Sequence, residues 1–166
     1  MDEPVYDIAA LKALASGERK QHRQVVRHLK RCTPREADRV VHTLHEQWME
    51  RVDCLQCAHC CKTLSPAVHD SDIGRMAKYL RMKPSELVEK YYRTDEDGDY
   101  VFTRQPCPFL GDDNYCSIYE VRPRACREYP HTDRPRIRGI LDLSLRNAPV
   151  CPVVYGIFHD LKDLFL

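Results

Sequence analysis

Between residues 54 and 61 the chain reads Cys54-Leu55-Gln56-Cys57-Ala58-His59-Cys60-Cys61, and no other stretch limits its possible folds so strongly. Three thiols recur at every third residue, so a short loop or single helical turn can aim them at one point, and a fourth follows at once. Cys107, Cys116, Cys126 and Cys151 offer as many thiols again, while Cys32 stands apart. Soft sulfur in this number selects zinc, copper(I) or iron–sulfur clusters over magnesium or calcium.

A disulfide framework would bring an even cysteine count, a short chain and a secretory signal. Here there are nine cysteines in 166 residues. The start Met1-Asp2-Glu3-Pro4-Val5-Tyr6-Asp7 has neither a basic nor an apolar signal region. No stretch approaches a membrane span, so the expected setting is a soluble protein of the reducing cytoplasm. A thioredoxin-like dithiol at Cys54 and Cys57 would leave the six other clustered cysteines unexplained.

Helical spacing of Ile8, Leu11 and Leu14 predicts a first helix that stops at Ser16-Gly17 with glycine in a left-handed cap, and a second from about Glu18 to Cys32. Thr33-Pro34-Arg35-Glu36 opens a third with a capping box, and its stripe Ala37, Val40, Val41, Leu44, Trp48 and Val52 faces a core. Helices also begin at Asp70 and Pro84, the latter running through Tyr91 and Tyr92. Asp95-Glu96-Asp97-Gly98-Asp99 reads as a solvated turn, because its glycine falls one position early for a calcium loop and no ligand glutamate follows.

Tyr100-Val101-Phe102 suits a strand, and Cys107–Leu110 and Tyr115–Tyr119 around Gly111-Asp112-Asp113-Asn114 read as a hairpin with Cys107 near Cys116. Pro123 begins a brief helix carrying Cys126, and a last helix from Asn147 or Ala148 holds Cys151 in its first turn. The expected fold is mainly α with a small β-hairpin, an irregular single domain organised around cysteine-ligated metal. Residues 1–53 would form a helical region packed on the core and 54–166 the cysteine-cluster domain.

The run Cys54–Cys61, followed by Cys107-Pro108-Phe109-Leu110, Cys116 to Pro123 and Ala125-Cys126-Arg127-Glu128-Tyr129-Pro130, resembles the YkgJ-type cysteine-cluster family over about residues 54–152. That family, found chiefly in bacteria, is described as a zinc- or iron-chelating domain. The resemblance implies metal chelation by Cys54, Cys57, Cys60, Cys61, Cys107, Cys116, Cys126 and Cys151, and no settled reaction. A distant similarity of such clusters to flagellin lysine methylases makes protein modification conceivable.

The cofactor is then an iron–sulfur cluster or zinc. Cys60 and Cys61 are adjacent, so their side chains tend to diverge, which suits two centres or two edges of one cluster. The opening C-x-x-C-x-x-C matches the bacterial ferredoxin run, but no cysteine-proline follows three residues on, and the radical S-adenosylmethionine spacing is absent. His59 and His131 are possible further ligands. Arg122, Arg124 and Arg127 surround Cys126 and either neutralise the thiolates or pair with Glu120 and Glu128. Cys32, beside Val25 and Leu29, reads as a buried small hydrophobe.

The net charge of +1 carries no global message, whereas residues 18–31 set six Lys and Arg against one acid. Such a helix is most often a solvated face, with nucleic acid, an anionic lipid surface or an acidic partner as alternatives. Two functions remain open: a redox or modification-related iron–sulfur protein, and a zinc-stabilised module that binds a protein or small-molecule partner.

Overall fold

The computed structural model describes residues 3–166. In chain order its elements are α1 (Ile8–Gly17), α2 (Arg19–Arg31), α3 (Pro34–Arg51), α4 (Cys54–Cys57), α5 (His59–Thr63), α6 (Asp70–Leu80), α7 (Pro84–Tyr91), β1 (Tyr92–Thr94), β2 (Tyr100–Phe102), α8 (Arg124–Glu128), α9 (Leu141–Asn147) and α10 (Pro152–Phe165). Single 3-10 turns occupy Tyr119–Val121 and Ile137–Gly139. The chain is thus mainly α with one two-stranded antiparallel sheet among the described residues. It divides into two compact units, one running up to Cys57 and resuming at Pro130–Leu166, the other Ala58–Tyr129.

In the first unit α10 packs on α2 and α3, and its residues from Pro152 to Phe158 are all buried. The helices come very close at Gly156, where an added Cβ would overlap the Trp48 ring. Only a residue without a side chain lets the indole rest on the α10 backbone. Trp48 is 1% exposed, and its Nε1 donates to Asp160 Oδ2 at 2.7 Å, so the ring is both packed and hydrogen-bonded. The α3 start matches its sequence: Thr33 Oγ1 accepts from the Glu36 amide, Glu36 Oε2 accepts from the Thr33 amide, and Pro34 takes the first helical position. Asp38 accepts the amides of Arg136 and Ile137, each at 2.9 Å, and so fastens the 3-10 turn to α3.

At the α1–α2 junction the expected left-handed glycine cap does not form. Gly17 ends α1 as a helical residue, and Glu18 (φ −94°) turns the chain directly into α2. The Glu18 carboxylate explains that path, because it accepts from Lys162 Nζ (2.7 Å), His159 Nδ1 (3.0 Å) and Tyr155 OH (3.1 Å), all on α10. Burial alone would raise its pKa, but the bonds from Lys162, His159 and Tyr155 outweigh it and bring the carboxyl from 4.5 down to about 2. His22 is wholly buried, with Nε2 3.2 Å from Glu18 but not aligned to bond, and burial holds its pKa below the ordinary histidine value.

The second unit has its own core of Val68, Ile73, Met76, Ala77, Leu87, Tyr92, Phe102, Phe109 and Ile118. Chain direction changes at Tyr92, which leaves α7 in extended geometry (φ −123°), begins β1 and stacks on Phe102 of β2 with ring centroids 4.8 Å apart. The ladder pairs Tyr92 with Phe102, Arg93 with Val101 and Thr94 with Tyr100. Tyr100–Phe102 is therefore a strand as expected, and its partner is Tyr92–Thr94, whose first residue helical spacing places in α7. The acidic run makes the turn: Asp95 Oδ1 accepts from the amides of Asp97 and Asp99, and Gly98 adopts φ +86°. Residues 107–119, expected as the hairpin, make only the isolated bridge Leu110–Cys116.

Gly156→Ala should destabilise the first unit by about 3 kcal/mol through overpacking against Trp48. Combining it with Trp48→Leu should give a loss smaller than the sum of the two singles, measured by urea unfolding. Acid supplies a second test. The folded pKa of Glu18 is depressed, so its contribution is present above pH 4.5 and is lost as pH falls toward 2. Glu18→Gln should accordingly cost on the order of 2 kcal/mol at pH 7 and little at pH 2, seen as converging wild-type and variant denaturation midpoints.

Candidate metal centre

The cysteine run does not lie on one helical turn. Cys54–Cys57 form α4, entered through Asp53, whose Oδ1 accepts from the Leu55 amide at 2.9 Å and whose carbonyl accepts from Cys57 at 3.1 Å. Ala58 then takes the left-handed conformation (φ +47°) while buried, and α5 begins at His59. That conformation costs an alanine roughly 1–2 kcal/mol, and it resets the helical phase between Cys57 and Cys60. Of the two arrangements expected from three-residue spacing, a single helical turn is therefore not the one the backbone takes. The boundary between the two compact units falls at this same peptide.

The second unit holds five of the eight clustered cysteines, and backbone contacts tie the segments of three of them together. The Cys107 amide donates to the Cys61 carbonyl at 2.8 Å, which ties α5 to the segment after the sheet. That segment returns on itself at Gly111–Asn114: the Gly111 amide donates to Tyr115 O (2.8 Å), the Ser117 amide donates to Phe109 O (2.9 Å), and Asn114 adopts φ +63°. Cys107 and Cys116 are thus brought round one turn, both packed against the aromatic core.

Cys126 is positioned by a carboxylate in the first turn of α6 that nothing in the sequence connects with it. Asp72, 1% exposed, accepts from Arg75 Nη2 (2.7 Å), from the Arg124 amide at the start of α8 (3.1 Å) and from the His69 amide (3.3 Å). Arg75 Nη2 also donates to the carbonyl of Arg122 at 3.0 Å. Asp72 and Arg75 together fasten α6 to the residues just ahead of Cys126. Their spacing resembles any helix start, and the link to residue 124 exists only in the folded chain.

The sulfurs sense one another. The Cys60 thiol is hydrogen-bonded to Cys61, and this bond, opposed by burial and aided by Lys62, brings Cys61 down to about 7. The adjacent side chains, expected to diverge, are near enough for this bond. Burial pushes Cys107 up to about 11, against hydrogen bonds from the amides of Phe109 and Leu110, while Cys61 and Cys116 add repulsion. Burial also raises Cys116, opposed by the Ile118 amide and with Cys61 adding to the rise. Cys126 is pushed up to about 12, by burial first and then by Cys61, Cys107 and Cys116. Tyr92 faces the same group, its pKa raised by burial and by Cys107 and Cys126.

Arg122 opposes the rise at both Cys116 and Cys126, so it is a cation that the sulfurs feel, while its guanidinium lies 3.8 Å over the Tyr119 ring. Arg124 follows the other reading and pairs with Glu128. Cys54, Cys57 and Cys151 belong to the first unit, as does His131. Cys151 stands at the N-cap of α10 in extended geometry instead of inside the first turn, because Pro152 after it disfavours the helical region at Cys151. Before it, residues 141–147 form the separate helix α9, which was not expected. Cys32 is half-buried, its Sγ donating to His28 O at 3.5 Å.

Among the described residues no three His, Cys, Asp or Glu side chains close on one ion as they stand. The chemistry of the donors nevertheless fits a soft metal. Cys61, Cys107, Cys116 and Cys126 lie within mutual electrostatic reach, and amide N–H groups donate to the sulfurs of Cys107 and Cys116. Such amides stabilise anionic sulfur, and a bound cation would reverse the repulsion that now raises three of the four.

A family profile described as "CxxCxxCC: Putative zinc- or iron-chelating domain" matches residues 53–152. A protein of Methanocaldococcus jannaschii, named "Uncharacterized protein MJ0661", is 32% identical over 94 residues, covering 55% of this chain and 50% of that protein. The chain therefore spans about half the length of the curated relative it matches. No solved structure matches it. The profile takes in more than half of the chain and every one of the clustered cysteines, and the chain belongs to the CxxCxxCC family of zinc- or iron-chelating domains.

Proposed function

We propose that Cys61, Cys107, Cys116 and Cys126 hold an iron–sulfur cluster through which the protein takes part in a redox or modification reaction, with Cys54, Cys57, Cys60 and Cys151 as the remaining thiolate ligands of the chelating domain. What supports this reading is a set of four cysteines in one unit within electrostatic reach of one another, two of them receiving amide hydrogen bonds, in a chain of a zinc- or iron-chelating family. Cys60, bonded to Cys61, brings the thiols of that unit to five. A cluster held here would supply one-electron chemistry. The chain's own part is to exclude water with Tyr92, Phe102 and Phe109, to donate N–H groups to sulfur, and to offset negative charge with Arg122. Thiols in such number suit a reducing cytoplasm.

The test is anaerobic purification of the full chain followed by iron, zinc and acid-labile sulfide analysis. Brown protein with iron and sulfide in comparable amounts supports the proposal. Colourless protein with stoichiometric zinc and no sulfide would replace it with the zinc-stabilised module, since zinc is redox-silent.

Serine at Cys61, Cys107, Cys116 or Cys126 should lower bound metal at least about tenfold, because a neutral hydroxyl replaces a thiolate, whereas Cys32→Ser should keep full occupancy. Equal loss from Cys32→Ser would reject this assignment. Asp72→Asn removes the charge that holds Arg75 and the Arg124 amide. It should cost about 2–3 kcal/mol of stability and also reduce metal content about tenfold, read by thermal unfolding and metal analysis of the same sample.

A further inference from the structure

The basic segment 18–31 has no part in the thiol group, and the fold divides its charges in an informative way. His22, Val25, Val26 and Leu29 face the core of the first unit. Arg19 and Arg23, one turn apart on α2, instead line a cleft of about 620 Å³ with Lys12 of α1 and Arg146 of α9. Ala15, Leu145, Ala148 and Pro149 give that cleft an apolar floor, and Ser16 adds a hydroxyl. Its single acid, Asp142, is already paired with Lys30. Among the described residues, Lys12, Arg19, Arg23 and Arg146 make no ion pair or hydrogen bond with another side chain.

We infer that this cleft binds a small organic diphosphate. Four unneutralised cations drawn from three helices repel one another unless an anion joins them, and a ligand with two adjacent phosphoryl groups supplies several acceptors in one place. Guanidinium forks match phosphoryl oxygens in pairs, and three of the four cations are arginines. The apolar floor suits the organic body of the ligand, and the volume falls in the range of small-molecule sites. The residues come together only through folding, because Lys12 and Arg146 lie on helices far apart in sequence. A concave site with its own floor is what separates this arrangement from a basic stripe that tracks a polymer backbone.

The probe is ADP without added magnesium, titrated calorimetrically into the metal-loaded full chain, with adenosine as the uncharged control. ADP is expected to bind at least about tenfold more tightly than adenosine, and more weakly as salt rises. Arg19→Ala and Arg146→Ala should each weaken ADP about tenfold, while Lys20→Ala and Arg27→Ala, outside the cleft, leave it unchanged. All four side chains are exposed, so circular dichroism and metal content should match wild type. Independently of any variant, ADP should shift the amide resonances of Ser16, Arg19 and Leu145. No ADP binding, adenosine binding as tightly, or indifference to Arg146→Ala would overturn the inference. It would equally be overturned if a single-stranded oligonucleotide or phosphatidylglycerol vesicles bound through Arg27 and Arg31 without needing Arg19 and Arg146.

Discussion

The amide of Cys107 donating to the carbonyl of Cys61 is the contact on which the second unit's chemistry depends. It joins the short helix α5 to a segment that would otherwise be separated from it by two helices and a hairpin. Once this bond exists, the turn at Gly111–Asn114 can carry Cys116 back beside Cys107, and Asp72 can bring α8 and Cys126 to the same place. Each step holds sulfur against a cost, because burial disfavours the anionic form and neighbouring sulfurs add to that penalty. The protein offsets part of it with amides at Cys107 and Cys116 and with Arg122. A metal is the natural counter-charge for what remains.

The first unit solves a different problem with similar economy of means. Its helices are joined by one very close approach, Gly156 against Trp48, and by one multiply bonded carboxylate, Glu18, that gathers three donors from α10. A half-buried carboxylate with this many partners is stabilising only while all of them stay in place, which makes α10 and the α1–α2 junction a cooperative pair. Cys151 at the head of α10 therefore inherits its position from contacts made a turn and more further along that helix. Ligand placement and core packing are coupled through a single element.

Much of this was legible along the chain because it rests on local rules. The capping box at Thr33 and Glu36, the starts of α6 and α7 and the Asp95–Asp99 turn all depend on neighbours within a few residues. Where the reading went astray, a distant partner had won over a local preference. Helical spacing carried α7 through Tyr92, but stacking on Phe102 drew that residue into a strand. Gly17 was free to take a left-handed cap, yet the α10 donors to Glu18 kept the chain helical. Ala58 is the opposite case, a residue with no taste for the left-handed region that adopts it inside a buried turn.

The cysteine spacing by itself determined that soft-metal chemistry belongs to this chain, because ligand type is a property of atoms and needs no fold. It also determined the helical class, through periodicity and caps. Only the tertiary structure decided which of the cysteine-bearing segments are tied together, since contacts such as Cys61 with Cys107 and Asp72 with Arg124 bridge long stretches of chain. It likewise decided that Arg19 and Arg23 of a basic helix line a cleft while His22, Val25, Val26 and Leu29 of the same helix face a core, because a charge acquires its surroundings from what packs against it and not from its neighbours in sequence.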